Sequence, residues 1–367
     1  MIAQTPSLAH INVAELERER VLAKAKEAFA APVVSVLAEA APHPAANTFF
    51  SETEPDIRTG GATTAPVMYR AHAQALRVMS ATVACLCAAS LLTSDPKYAA
   101  RATQHLRVAL LVPETRMLPQ FDHAGCAPGT TAGTPAGVVD LLPLAELARA
   151  LSFIFDDASM SVEEWTKLRE WFKDANTWLN SNRAALIARD VKDHRASAWL
   201  LIATAFARLL RDENAVEDCR KLFRKPTLRN QLRPDGVFPQ EVATPNPYRN
   251  TLLNFDLLAG ACQLLNSPFD PLWPYELIDG VGMRIVSAYL YPLITHPERW
   301  PFPADAAGFR DLPGRRPGLL FAGRAYDRPE YVATWLGAPS GPVPETIAAS
   351  FPIHQPLLWT ARAPHGY

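Results

Sequence analysis

ASAWLLIATAFARLL, residues 196–210, followed after two residues by ENAVEDCRKLF, residues 213–223, is the pair of segments that decides the fold. The first is apolar on nearly every face, the pattern of a helix buried all round. The second keeps its apolar residues to one stripe, the pattern of a helix with one side in water. The alternation returns at residues 252–265 and 280–291, and residues 67–92 and 98–111 read as two further helices. Residues 138–155 are mostly apolar, and Ser161-Val162-Glu163-Glu164 supplies a capping box for a helix carrying Trp165, Leu168, Trp171, Phe172, Trp178 and Leu179. Strand-like alternation is almost absent. Paired buried and half-buried helices predict an all-α fold. Closed on itself, the array becomes an (α/α) toroid of paired helices, a single domain with a cleft lined by loops. A stacked solenoid is the rival, and the self-similarity at roughly 20 to 50 residues that a solenoid requires is missing.

Punctuation divides the chain. Residues 14–40 are rich in Ala, Glu, Lys and Leu and read as helix interrupted near Pro32; residues 42–66, with prolines and Gly60-Gly61, read as a long loop. Ser94-Asp95-Pro96 is a stop and restart signal, and residues 113–135 form a second irregular stretch. The expected division is an N-terminal helix and loop at 1–66, the toroid domain at 67–340 and a tail packed on it at 341–367.

Composition bounds the function classes. With 367 residues, 49% hydrophobic and 20% charged, the chain buries a sizeable core. A net charge of −1 without long runs of one sign gives no electrostatic footprint for nucleic acid or a membrane surface, so an acidic ligand must be gripped by local cations. Five scattered cysteines form no CxxC pair, which argues against a disulfide framework or zinc site. The uncharged run at residues 78–92 is shorter than the roughly 18 residues of a membrane span. No basic segment with an apolar core opens the chain, so no secretory signal is visible. Phosphate loops, dinucleotide glycines, HExxH and Gly-x-Ser-x-Gly are all missing.

Two polar clusters stand out. Lys192-Asp193-His194-Arg195 directly precedes the buried helix, and DGVFPQEVATPNPYRNTLLNFD, residues 235–256, carries Glu241, Asn246, Tyr248, Arg249 and Asn250 behind a Pro234-Asp235-Gly236 turn. Prolines 245 and 247 stiffen the second stretch, which reads as a loop facing the first cluster across one cleft. A plainer role stands beside each reading. His194 beside Asp193 is an oriented, charged histidine or a helix cap. Tyr248 is an acid/base or a ring packed under a loop. Glu241 titrates or holds backbone amides. His123, in Gln120-Phe121-Asp122-His123, binds ligand or makes a structural hydrogen bond. Trp300, in Arg299-Trp300-Pro301-Phe302-Pro303, is a sugar-stacking platform or core.

In order and spacing, DPKYAARATQHLRVALLVPETRM (95–117), AGVVDLLPL (136–144), KDHRASAWLL (192–201), the 235–256 stretch and LWPYELIDGVGMRIVSAYLYP (272–292) resemble the alginate lyase-like polysaccharide lyases, from about residue 64 to 335. The resemblance implies the toroid fold and cleavage of an acidic, uronate-containing polysaccharide by β-elimination, without cofactor or obligatory metal, in the periplasm or outside the cell. In that chemistry donors neutralise the uronate carboxylate and a tyrosine moves the C5 proton. Residue by residue, His194 carries over, whereas Asp193 stands where the family usually has asparagine. The motif Arg-Thr-Lys-Pro-Tyr-Gly-Tyr-Ser-Leu-Phe-Asn-Leu-Asp places Thr244 at the arginine, Tyr248 at the earlier aromatic, Asn250 at the usual catalytic tyrosine and Asn254 at the asparagine.

The expected catalytic residues are therefore His194, Tyr248 and Arg249. Asp193, Asn250, Asn246, His123, Lys192, Glu241 and Trp300 are expected to bind substrate. Two alternatives keep the fold: a glycoside hydrolase using Asp193 and Glu241 as its carboxylate pair, and a glycan-binding relative without catalysis. Oligomeric state is not written in the sequence.

Overall fold

The computed structural model describes residues 11–42, 47–53, 68–306, 314–341 and 343–364. It is 61% helical with 3% strand, which makes it an all-α protein. The inner layer consists of α2 (Ala71–Thr93), α5 (Pro143–Leu151), α8 (His194–Leu210), α12 (Pro247–Leu265) and α14 (Pro317–Ala325), each packed on the next in that order. Outside them lie α1 (Val13–Ala30), α3 (Pro96–Leu106), α6 (Val162–Ser181), α7 (Arg183–Asp190), α9 (Glu213–Leu222), α13 (Met283–Thr295) and α15 (Pro329–Gly337). The reading of α8 as buried all round holds: Ala196 to Ala207 are all buried, against only Val216 and Cys219 on α9. Truncating a leucine in that wall, such as Leu201, costs about 2–5 kcal/mol through lost contacts and a cavity.

Side chains explain why the array closes instead of stacking onward. Fully buried Glu17 on α1 accepts from Arg20 Nε at 2.6 Å and from Arg315 Nη1, just before α14, at 2.5 Å. Arg20 also donates to Gln355 at 3.0 Å. First and last helix pairs are thus tied at one seam. The C-terminal segment fills it: α17 (Pro356–Thr360) packs on α1, α2, α5 and α12. Buried Arg149 on α5 donates to the Leu358 and Ala361 carbonyls at 2.8 and 2.6 Å, and Glu146 accepts from the His354 and Gln355 amides, both at 2.7 Å. Asp256 accepts from Arg316 Nη1 at 2.9 Å and the Gly318 amide at 3.0 Å, while Arg316 also holds the Ser350 carbonyl. A sealed seam satisfies the ends that a solenoid would need to cap.

Several boundaries differ from the sequence reading. Tyr248, Arg249 and Asn250 lie in the first turn of α12, not in a loop, because Pro247 at the first helical position needs no amide partner. The 113–135 stretch contains β2 (His123–Cys126), paired in parallel with β1 (Phe50–Glu52); the rest of the 42–66 loop lies largely outside the described residues. A break at Pro143 splits the expected 138–155 helix into α4 (Gly137–Asp140) and α5. At 23 residues α2 is long and apolar enough to cross a membrane, and 56% of its most apolar window is buried inside the protein.

Candidate active site

The segment after α7 turns at residues 191–193 and starts α8 at His194. Asp193 is the cap: its Oδ1 accepts the Arg195 amide at 3.0 Å, and both its oxygens take the Arg195 guanidinium, with Nε–Oδ1 at 2.9 Å and Nη2–Oδ2 at 2.5 Å. Burial works to raise this carboxyl, but the Arg195 hydrogen bonds and the neighbouring His194 charge outweigh it and hold it below the ordinary value. Asp193 is therefore held as an anion paired with Arg195. Lys192 beside it is exposed.

Glu241 reaches the same helix start from α11 (Pro239–Val242), a single turn that follows the Pro234-Asp235-Gly236 bend. Gly236 sits at φ +84°, where a Cβ would meet Tyr289 Cβ at 2.7 Å, so glycine is required to bring the chain around. With no solvent exposure, Glu241 Oε1 accepts the His194 amide at 2.5 Å and Asn254 Nδ2 at 2.9 Å, and Oε2 pairs with His194 Nδ1 at 3.0 Å. Both oxygens are spent inside the protein. Glu241 thus orients the histidine, the plainer of the two roles expected for it. Burial pulls the His194 pKa down; the Glu241 charge and hydrogen bond pull harder, so it lies above the ordinary value. With Nδ1 held, Nε2 is the nitrogen left for chemistry on a side chain that keeps 17% of its surface.

Behind the pair stands a buried amide network. Asn254 Nδ2 also donates to Gln231 Oε1 at 2.7 Å, and Ser197 Oγ reaches Asn254 Oδ1 at 2.6 Å and Gln231 Oε1 at 3.1 Å. Ser197 and Gln231 carried no sequence signal; a serine among apolar residues and a glutamine in a basic stretch are ordinary. Asn254 was visible only through the family motif.

The other expected residues separate. Thr244 Oγ1 donates to the Glu241 carbonyl at 2.7 Å and accepts Asn250 Nδ2 at 3.1 Å, which keeps half-buried Asn250 two contacts from the dyad. Tyr248 turns inward: it is 4% exposed, its hydroxyl donates to the Leu293 carbonyl at 3.2 Å, and its ring meets Trp300 edge-on at 5.0 Å. The expected free phenol is thus a packed anchor, because the first helical turn points residue 248 at the core. Half-buried Trp300 packs with it, against Phe302 at 5.2 Å and with its indole N–H on the Pro303 carbonyl. Asp305 accepts the Tyr248 and Arg249 amides at 2.8 and 2.9 Å, taking the anion position at the α12 N-terminus. Half-buried Arg249 and Asn246 remain beside Asn250 at that helix start. His123 is not joined to the dyad; its ring holds the Thr131 carbonyl at 2.5 Å. Its neighbour Asp122 matters more to the framework, accepting from Trp178 Nε1 at 2.9 Å and from Asn182, the cap of α7, at 2.8 Å. Among the described residues no His/Cys/Asp/Glu group is arranged to hold a metal.

Comparison with known proteins follows the same line. Among solved structures, an alginate lyase from Bacteroides ovatus aligns with TM-score 0.76 and 20% identity over 94% of this chain and 93% of that one. Alginate lyase A1-III from Sphingomonas species A1 aligns with TM-score 0.59 and 13% identity, covering 93% and 94%. A variant of A1-III complexed with tetrasaccharide aligns with TM-score 0.54 and 13% identity over 84% of each chain. At such identities the likeness is one of fold, the (α/α) toroid. No curated protein sequence matches the chain. The alginate lyase family model, however, matches residues 21–300, most of the chain and both clusters around His194. The chain belongs to the alginate lyase family, polysaccharide lyases that break a carbon–oxygen bond.

Proposed function

We propose that the chain cleaves a uronate polysaccharide, alginate-like or glucuronan-like, by β-elimination with His194 as both base and acid. The single observation that carries this reading is the His194–Glu241 pair: a buried carboxylate fixes Nδ1 and leaves Nε2 for proton transfer. The Glu241 charge and hydrogen bond hold the His194 pKa above its ordinary value, so the imidazolium formed on proton uptake is stabilised in place. Arg249, Asn250 and Asn246 bind the uronate carboxylate and stabilise the charge that develops as the C5–H bond breaks. Neutral His194 Nε2 takes that proton, the C4=C5 double bond forms, the C4–O4 bond breaks, and the imidazolium returns the proton to O4. One residue can serve both steps only where C5–H and O4 share a face of the ring. Mannuronate- and glucuronate-type linkages meet that condition and their C5 epimers do not. With that substrate goes the reading of a periplasmic or extracellular protein, which we propose on the family resemblance alone.

The hydrolase alternative loses its carboxylates, since Glu241 is wholly engaged and Asp193 is ion-paired below its ordinary pKa, unfit to donate a proton. The buried Tyr248 hydroxyl, with Asn250 at the family's tyrosine position, favours a second reading, a glycan-binding relative without turnover. Ultraviolet absorbance of unsaturated product, followed over a panel of mannuronate, guluronate and glucuronate polymers, separates the two. Absorbance with none of them, together with measurable binding, would establish the second.

A further inference from the structure

We propose that the crevice between α7, the first turns of α8 and α10 (Leu228–Gln231) is a second binding site, taking one hydroxyl-rich sugar unit. Its volume is about 180 Å³, and Arg189, Asp190, Trp199, Thr227, Asn230 and Gln231 line it over an apolar floor. That is smaller than the roughly 300–1,000 Å³ of a cleft for a drug-sized ligand, and its polar side chains are the groups that would fix a ligand's orientation.

Gln231 supplies the pointed observation. It is 1% exposed, its Oε1 is taken by Asn254 and Ser197, and its Nε2 has no hydrogen-bond partner among the described residues. Buried amide donors are nearly always paired, so a buried N–H on a crevice wall asks for an acceptor there. Exposed Asn230 and half-buried Thr227 add further donors and acceptors at the rim. Arg189 and Asp190 cancel each other: Nε and Nη2 meet the two carboxylate oxygens at 2.7 and 3.1 Å. A crevice without net charge reads hydroxyls, not a carboxylate, which sets it apart from the His194 cleft. The two lie close in the chain, because α7 leads through residues 191–193 into His194, and Gln231 belongs to the network behind Glu241. The choice of a sugar rests on the lyase reading.

Saturation-transfer NMR on the full chain with methyl glucopyranoside, a neutral probe, tests it. The wild type should give a saturable signal at millimolar probe. Asn230→Trp and Thr227→Trp, which fill the crevice from its rim, should weaken binding at least tenfold with circular dichroism unchanged, while His194→Ala keeps it. No saturable signal, a signal that survives both filled variants, or one abolished by His194→Ala would overturn the proposal. Uronate turnover is scored separately by ultraviolet absorbance. Turnover missing while the crevice still binds sinks the lyase reading alone, and turnover intact without crevice binding sinks this one alone.

Discussion

Two buried polar networks sit at different places in this toroid and end differently. At the seam, buried Glu146, Arg149, Asp256 and Arg316 bond to one another or to backbone, and buried Glu17 bonds to Arg20 and Arg315. At the cleft, Ser197, Gln231, Asn254 and Glu241 are equally buried, but their chain of hydrogen bonds ends on an imidazole that keeps some exposure. The same chemistry, charged groups in low dielectric, therefore does two jobs. A network that closes on backbone holds a ring shut; one that ends on a histidine at the surface holds a reactive nitrogen in place. Mutations should separate stability from activity along that line.

The largest expected effect is on rate. His194→Ala removes the proposed proton carrier, and turnover should fall by about 10²–10⁴-fold, the worth of a general acid or base, with a smaller loss of stability than at the seam because Glu241 keeps its backbone-amide and Asn254 partners. At the seam the opposite holds. Arg316→Ala strands the fully buried Asp256, whose carboxyl burial already raises, and should cost about 3–5 kcal/mol in denaturant unfolding while specific activity of the folded fraction is kept. Equal losses of rate and stability in both variants would erase the contrast.

A smaller effect sharpens it. Glu241→Gln keeps the shape but removes the charge that raises His194, so the acid limb of the pH–rate profile should move to lower pH, with a reduced plateau. An unmoved limb would mean that another group titrates. Tyr248→Phe loses one hydrogen bond to a carbonyl, about 0.5–1.5 kcal/mol, and should leave the rate unchanged. Abolished turnover with normal stability would instead return the acid/base role to the phenol.

The smallest effect is at the seam and depends on pH. Burial pushes the Glu146 carboxyl up to about 7 and the His354 imidazole down to about 4. For Glu146 the raised value means stability present below its unfolded pKa of about 4.5 and lost as pH climbs through 7. For His354 the depressed value means stability present above about 6.5 and lost as pH falls towards 4. The two slopes oppose each other across the same window. Glu146→Gln should unmask the histidine, giving a melting temperature that rises with pH between about 4 and 6.5 more steeply than in the wild type; an equal or shallower rise would remove the paired account.

The fold was legible because a helix buried all round and a helix buried on one side leave different patterns, and residues 196–223 carry both within one hairpin. Closure was not legible, since it rests on Glu17 meeting Arg315 across nearly the whole chain, a contact no local pattern announces. At the site, His194 was readable from its position before a buried helix. Between the two roles open to Glu241, a substrate group or a holder of backbone amides, sequence could not choose, because it shows a carboxylate and not its burial. Tyr248 was misplaced by one structural step: two prolines read as a stiff loop, whereas the second of them opens α12 and points the ring inward. Gln231 and Ser197 acquire meaning only through partners 23 and 57 residues away in sequence.

The measurement that bears most directly on the central claim is the ultraviolet progress curve of wild type and His194→Ala on a mannuronate polymer and its C5-epimeric guluronate counterpart. The account predicts a rising absorbance for the wild type on the mannuronate polymer, little on the guluronate polymer, and a rate at least 10²-fold lower for His194→Ala. An equal rate for the two proteins, or a clear preference for the guluronate polymer, would contradict a single histidine that takes the proton and returns it on one face of the ring.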